Sequence, residues 1–410
     1  MFLQSGRRVV SKITNLGVEN IGGANEIVAP RALPRNDAVT GTSFDSTPNN
    51  STPNLDLSAF GLPENFNTKP LLKTTPIENI SFARSPRAPD LQVRPLQMDG
   101  VPSGYLATNP SAPVMLADGR VIMAVREQLH PDLLPKDMSP PGPSQVGLYQ
   151  ADPPFSFEHA KFHRTETLLT SGRVWHEDPF LSVIDGQLFL GAVAVRFKEE
   201  KNDNGHRIME RYATSIYRLG EQGDAVIEKV AEGPADMKDV RLFQLQDGRI
   251  GLLTRPKGGD FGNGYVGFAT IDKIEDLTAE VVLNAPAIFR PKDVVGAIPA
   301  LRAYWPDVWV GGNDAVVNGN GSVTVYGHFG TKGPYGAIRF SFDPPLRDSN
   351  RPKNVRNVQL LVHPEELLGF PKEPVREITA FTGGCLRVGG FDIVPFGWGD
   401  SYVGLMKMRS

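Results

Sequence analysis

With 410 residues and 40% hydrophobic content, the chain is long enough for one large β domain or two ordinary ones with a substantial core. A net charge of −3 with both signs mixed along the chain leaves no basic footprint and excludes nucleic acid as a partner. No run approaches the ~18 apolar residues of a membrane span. The single cysteine, Cys385, excludes an intramolecular disulfide and a cysteine zinc cluster.

The N-terminal stretch MFLQSGRRVVSKITNLG lacks a continuous apolar core of the secretory type, so a reducing, cytoplasmic setting is expected. Residues 1–85 differ from the rest of the chain. Pro30–Pro76 is rich in Pro, Ser, Thr and Asn and has few aromatics, too little apolar surface to offset its ordering entropy. This part reads as an irregular or partly disordered extension, and residues 86–410 as the folded domain.

From about residue 95 the sequence becomes a succession of short alternating strands and polar turns, with one possible helical turn at Pro364–Leu368. Five segments share one plan: VMLADGRVIMAVRE, FLSVIDGQLFLGAVAV, VRLFQLQDGRIGLLTRP, DAVVNGNGSVTVYGHF and GCLRVGGFDIVPFGWGD. Their turn glycines, Gly119, Gly186, Gly248, Gly321 and Gly390, are 62 to 73 residues apart. Each unit is a strand, a tight turn and a second strand with a polar end; Asp247-Gly248 is the clearest hairpin signal. The linkers have room for a second hairpin. A regular four-stranded repeat is the signature of a β-propeller, so the expected fold is all-β, a five-bladed β-propeller. The alternative is a generic β-sandwich with accidental turn matches.

In a propeller the inner strands line a central channel, and their polar ends meet at one mouth. The first unit offers Asn109, Arg126 and Glu127. The second offers Trp175, Glu177 and Asp178. The proline after this carboxylate pair should hold it extended, with the two groups on opposite faces. The third offers Lys238, Asp239, Arg241 and Arg255, the fourth Trp309, Asn313, Asp314 and His328, and the fifth Thr382, Trp398 and Asp400. Singly, such residues are more often turn caps, ion-pair partners or packing aromatics. Together, carboxylates, cations and indoles at one structural station suit the handling of sugars. No metal-ligand spacing, phosphate loop or Gly-x-Ser-x-Gly elbow occurs, so no cofactor is implied.

From about Gly104 onward the chain resembles the family catalogued as domain of unknown function 1861. The resemblance rests on the Val-Arg-Glu strand end, the Glu177–Phe180 block, AEGPADMKDVRLFQLQDGRIGLLTRP, FATIDKIEDL and GGNDAVVNGNGSVTVYGHFG. That family is grouped with five-bladed propeller glycosidases, and the motifs are similar to those of glycoside hydrolase family 130. The matching positions are Glu177-Asp178-Pro179, Lys238-Asp239, Arg255-Pro256, His328 and Gly399-Asp400. The resemblance implies Asp178 as general acid, with Lys238, Arg255 and His328 holding phosphate in a phosphorylase or lying near the attacking water in a hydrolase. Two departures stand out: Phe180 replaces an arginine, and Gly327 separates Tyr326 from His328.

The expected activity is therefore a glycoside hydrolase acting on a small oligosaccharide or glycoside. Asp178 is the acid, with Asp239 or Asp314 as base or pKa tuner. Lys238, Arg241 and Arg255 oppose that role, because cations lower carboxyl pKa values whereas an acid needs its own raised. The alternatives are a phosphorylase using inorganic phosphate and a non-catalytic carbohydrate-binding propeller.

Overall fold

The computed structural model describes residues 88–134, 142–170, 172–202, 207–257, 264–332, 335–347, 352–362 and 379–410. The expected extension over residues 1–85 and the helical turn at 364–368 lie outside the described residues. The described chain opens with β1 (Gln92–Pro95) and β2 (Gln97–Asp99). The first blade follows, with β3 (Tyr105–Pro110), the short β4 (Val114–Met115), β5 (Val121–Leu129), β6 (Ser144–Ala151) and β7 (Lys161–Leu169). From the axis outward its order is β3-β5-β6-β7, with β2 added in parallel at the rim.

The second blade is β8 (Val174–Ile184), β9 (Gln187–Lys201), β10 (Arg207–Leu219) and β11 (Val226–Glu232). The third is β12 (Arg241–Gln244), β13 (Ile250–Thr254), β14 (Val266–Ile271) and β15 (Ala287–Phe289). Helix α1 (Ala279–Leu283) precedes β15, and α2 (Pro291–Ala297) follows it. The fourth is β16 (Trp309–Val317), β17 (Val323–Gly330), β18 (Tyr335–Asp343) and β19 (Lys353–Leu360). The fifth has β20 (Ala380–Thr382), β21 (Leu386–Val388), β22 (Phe391–Trp398) and β23 (Tyr402–Arg409), and β1 supplies its outer strand. The ring thus closes by pairing the first described strand with the last. Among the described residues no helix is long and apolar enough to cross a membrane.

All five expected turns form. Gly119, Gly186, Gly248, Gly321 and Gly390 carry φ of 86°, 76°, 85°, 82° and 79°, the left-handed region that side-chain-bearing residues avoid. Each joins the first two strands of a blade.

The alternation read from the sequence does not give one wet face and one dry one. All nine residues of β5 are buried. Val121, Met123 and Val125 pack toward Leu386, Ile393 and Leu405 of the fifth blade, while Ile122 and Ala124 pack toward Leu181, Leu188 and Leu190 of the second. The other three blade junctions have their own apolar clusters, centred on Leu242 and Leu252, on Phe268 and Phe340, and on Tyr326 and Phe396. Each sheet is sandwiched between two neighbours, so its central strands are apolar on both faces. The polar groups are left to the strand ends at the axis.

A Cβ added at Gly248 would meet no heavy atom within 4 Å, so Gly248→Ala isolates the backbone cost of the turn. It should lower the unfolding free energy by about 1 kcal/mol, read from urea denaturation. A neutral result would contradict the assigned turn.

Candidate functional site

The polar residues reach the axis through irregularities in the inner strands. In the first blade Thr108 pairs with Arg126 and Pro110 with Val125, leaving Asn109 as an extra residue with φ of 44°. In the second, Glu177 pairs with Val193 and Phe180 with Gly191, so Asp178 and Pro179 share one partner position and Asp178 takes φ of 47°. In the fourth, Asn313 bulges between the paired residues Gly312 and Asp314. Asp239, just before β12, has φ of 60°. Such bulges re-aim single side chains, and Asn and Asp tolerate left-handed backbone better than other residues with a Cβ.

The bulge at Asp178 overturns the expectation of an extended carboxylate pair facing opposite ways. Both groups converge on Arg126, whose NH2 lies 3.5 Å from Glu177 Oε1 and whose NH1 lies 3.3 Å from Asp178 Oδ1. The Asn109 amide donates to Asp178 Oδ1 at 2.8 Å, and Lys238 Nζ pairs with Glu177 Oε2. Burial alone would raise the Asp178 carboxyl, but Arg126, Lys238 and Asn109 pull it down to about 2. Glu177 is likewise lowered, its burial outweighed by Lys238 and Arg126. Asp400, itself buried, is close enough to favour the charge on Arg126.

A second constellation surrounds Asp239. Arg255 NH1 lies 2.8 Å from Asp239 Oδ2, Arg241 NH2 3.4 Å from Oδ1, and His328 Nε2 3.7 Å from Oδ2. Burial raises this carboxyl, yet Arg255 and Arg241 hold it below its ordinary value. The Asn313 amide donates to the Thr382 carbonyl and hydroxyl at 2.8 and 2.9 Å, so its Oδ1 accepts from His328 Nδ1 at 2.7 Å. That fixes His328 with the proton on Nδ1 and the Nε2 lone pair toward Arg255, 3.5 Å away. Burial lowers its pKa to about 3, leaving it neutral. The His328 ring stacks on Tyr335 at 5.0 Å and meets the edge of Trp309 at 5.0 Å. The Arg255 guanidinium lies over Trp309 at 4.7 Å. Gly311 permits this crowding: a Cβ there would come within 2.7 Å of both Asp239 Oδ2 and His328 Cε1.

The funnel therefore gathers Asn109, Arg126, Glu177, Asp178, Lys238, Asp239, Arg255, His328 and Asp400. The most solvent-accessible side chains in its ion pairs are Lys238 at 28%, Arg255 at 13% and Asp178 at 13%. Other expected members take other positions. Glu127 is fully buried among β6 and β7, held by Arg164, Gln145 and Tyr149, because strand alternation turns it away from Arg126. Trp175 packs on Phe197 in an apolar cluster with Leu129 and Val193. Arg241 is 1% exposed and braces backbone: its Nε donates to the Asn313 carbonyl at 3.0 Å, and its guanidinium covers Phe180 at 4.9 Å. Asn313, 2% exposed, positions His328.

The two departures also find a place. Phe180 is buried beneath Arg241, and Tyr326 sends its hydroxyl to Asp392 between blades, away from His328. Tyr335 was missed because it opens β18, the third strand of its blade, where no repeat signal points inward. Among the described residues no group of three or more His, Cys, Asp or Glu side chains is placed to hold a metal ion.

Asp314 sits one residue beyond the Asn313 bulge, its Oδ2 accepting from Cys385 N at 3.1 Å. Burial pushes its carboxyl from an ordinary 3.8 up to about 7, only partly offset by backbone N–H groups and Arg241. Between those two values the folded protein keeps a proton that the unfolded chain releases, so this group lowers stability as pH rises from about 4 to about 7. Asp314→Asn should flatten that slope and gain on the order of 4 kcal/mol over wild type at about pH 8 relative to about pH 4. Urea midpoints at the two pH values measure it; an unchanged slope would contradict the assignment.

No curated protein matches the chain. Among solved structures the fold is similar to that of a mannose phosphorylase from Leishmania mexicana in complex with phosphate ion. That pair shares 23% identity over 80% of this chain and 89% of the other, with a TM-score of 0.57. A GDP-Man-dependent mannosyltransferase from Leishmania mexicana gives 21%, 78%, 89% and 0.56. A β-1,2-mannobiose phosphorylase from Listeria innocua, in complex with β-1,2-mannobiose, gives 13%, 75%, 91% and 0.53. These likenesses establish the propeller fold. At the level of sequence, the profile described as "Protein of unknown function (DUF1861)" matches residues 155–387, more than half of the chain, and the chain belongs to that family.

Proposed function

We propose that this protein is a carbohydrate-active enzyme that cleaves a small oligosaccharide or glycoside in the central funnel, with water as the acceptor. The observation that carries this reading is the Asp178 carboxylate, accessible at the axis between the Asn109 amide and Arg126. Trp309, Tyr335 and His328 form a mostly aromatic wall on the fourth blade. The partly exposed Trp309 and Tyr335 leave apolar edges beside the amides, carboxylates and guanidinium groups that would meet a sugar's hydroxyls.

Glycoside cleavage needs a proton donor for the leaving oxygen and a carboxylate to activate water. The sequence suggested Asp178 as the donor. Held at about 2, it is ionised at neutral pH and has no proton to give; as the accessible carboxylate it takes a proton from water as the oxygen attacks the anomeric carbon. Asp314, set one residue beyond the Asn313 bulge and pushed up to about 7, keeps a proton near neutrality and is the candidate donor.

Water is favoured over phosphate because each funnel cation already has a carboxylate within 3.5 Å. Arg126 and Lys238 lie against Glu177 and Asp178, and Arg241 and Arg255 against Asp239. Phosphorolysis is the second reading. It is supported by the contact of Arg255 with His328 and by the likeness of fold to a phosphorylase seen with phosphate ion.

Mannosides, glucosides, fructosides and arabinosides, incubated with and without phosphate, separate these readings. The proposal predicts free sugar regardless of phosphate, with Asp178→Asn lowering kcat by on the order of 10²–10⁴-fold. Sugar 1-phosphate formed only with phosphate would establish the second reading. Sugar binding without turnover would make the protein a binding propeller.

A further inference from the structure

The Asp239 carboxylate lies against the two guanidinium groups that could receive an anion, with the neutral His328 ring beside it. Arg255 NH1 is 2.8 Å from its Oδ2, His328 Nε2 3.7 Å from the same oxygen, and Arg241 NH2 3.4 Å from Oδ1. The group is 2% exposed. Its Oδ2 makes an ion pair with Arg255 but no well-directed hydrogen bond among the described residues, so charge rather than hydrogen-bond geometry holds it there. The backbone contributes as well: Asp239 adopts φ of 60°, and Gly311 clears the space that its Oδ2 and the His328 ring occupy.

We propose that Asp239 is a resident counter-anion that decides the acceptor: by neutralising Arg255, with the buried Arg241 behind it, it keeps inorganic phosphate out and leaves water as the attacking species. The inference rests on the hydrolytic reading of the same funnel and names the residue responsible for it. A phosphate approaching Arg255 would meet the negative charge of Asp239 a few ångströms away, a repulsion strengthened by burial. Removing that charge while keeping the side-chain shape leaves Arg255, the accessible cation of the pair, without its counter-anion. Asparagine suits the substitution because it also tolerates positive φ.

The experiment titrates inorganic phosphate alone, by calorimetry and melting temperature at neutral pH, into wild type, Asp239→Asn and the double variant Asp239→Asn/Arg255→Gln. Wild type should show no saturable binding up to about 20 mM, and Asp239→Asn should bind at least roughly tenfold more tightly than that limit. The added Arg255→Gln should abolish the gain. Saturable millimolar binding by wild type would overturn the proposal, as would a folded Asp239→Asn that gains none. If Asp239→Asn does not fold, Asp239→Ser repeats the charge removal and decides in its place. No sugar enters this measurement, so its failure leaves glycoside cleavage standing, whereas silence in the product assay leaves phosphate exclusion by Asp239 standing but removes its role in choosing an acceptor.

Discussion

The geometry of the funnel depends on one buried cation. The Arg241 guanidinium is almost inaccessible, and burial lowers its pKa despite nearby Asp239 and Asp178. It lies across three blades: it donates to the Asn313 carbonyl in the fourth, reaches the Asp178 carbonyl in the second at 3.5 Å, and pairs with Asp239 in its own. The residues it ties together are those with irregular backbone. A bulged residue turns its carbonyl out of the sheet ladder, and a buried carbonyl without a donor costs about 1–3 kcal/mol. Arg241 meets these demands with one planar group of five donors, and Phe180 supports its face. The sequence places Arg241 within three residues of Lys238 and Asp239, which made it look like part of the substrate surface. It is instead the brace behind that surface.

Much of the fold was legible because its determinants are local. A left-handed turn residue and two flanking apolar runs can be read within a dozen positions, and the five turn glycines repeat that signal at near-regular spacing. The site was less legible because its placement depends on register. Arg126 and Glu127 are adjacent in sequence, yet one faces the axis and the other is locked to Arg164 inside its sheet. Glu177 and Asp178 were expected to diverge, as they would in a regular strand. One extra residue in the bulge brings both toward Arg126. Trp175 looked like a sugar platform, but it lies near the start of its strand, where the apolar packing of Phe197 claims it. Tyr335 carried no signal at all, since only the stacking on His328 brings it to the funnel.

Two carboxyl groups of the inner strands, Asp178 and Asp314, differ in what surrounds them more than in how deeply they are buried. Asp178 has an arginine, a lysine and an amide around it, whereas Asp314 has backbone N–H groups and only a remote cation. Their pKa values are thereby pushed apart, the pattern that separates base from acid in sites with paired carboxyl groups. The expectation that neighbouring cations would work against an acidic Asp178 was sound. Under the proposed mechanism its consequence is an exchange of roles between two residues already among the candidates.

The most direct test of the account is a crystal structure with a sulfur-linked disaccharide that cannot be cleaved. The account predicts the sugar against Trp309 and Tyr335, with its linkage sulfur or a bridging water within about 4 Å of the Asp178 carboxylate and Lys238 and Arg255 flanking it. Disaccharide bound on the outer face of a blade, with the funnel unchanged, would contradict it.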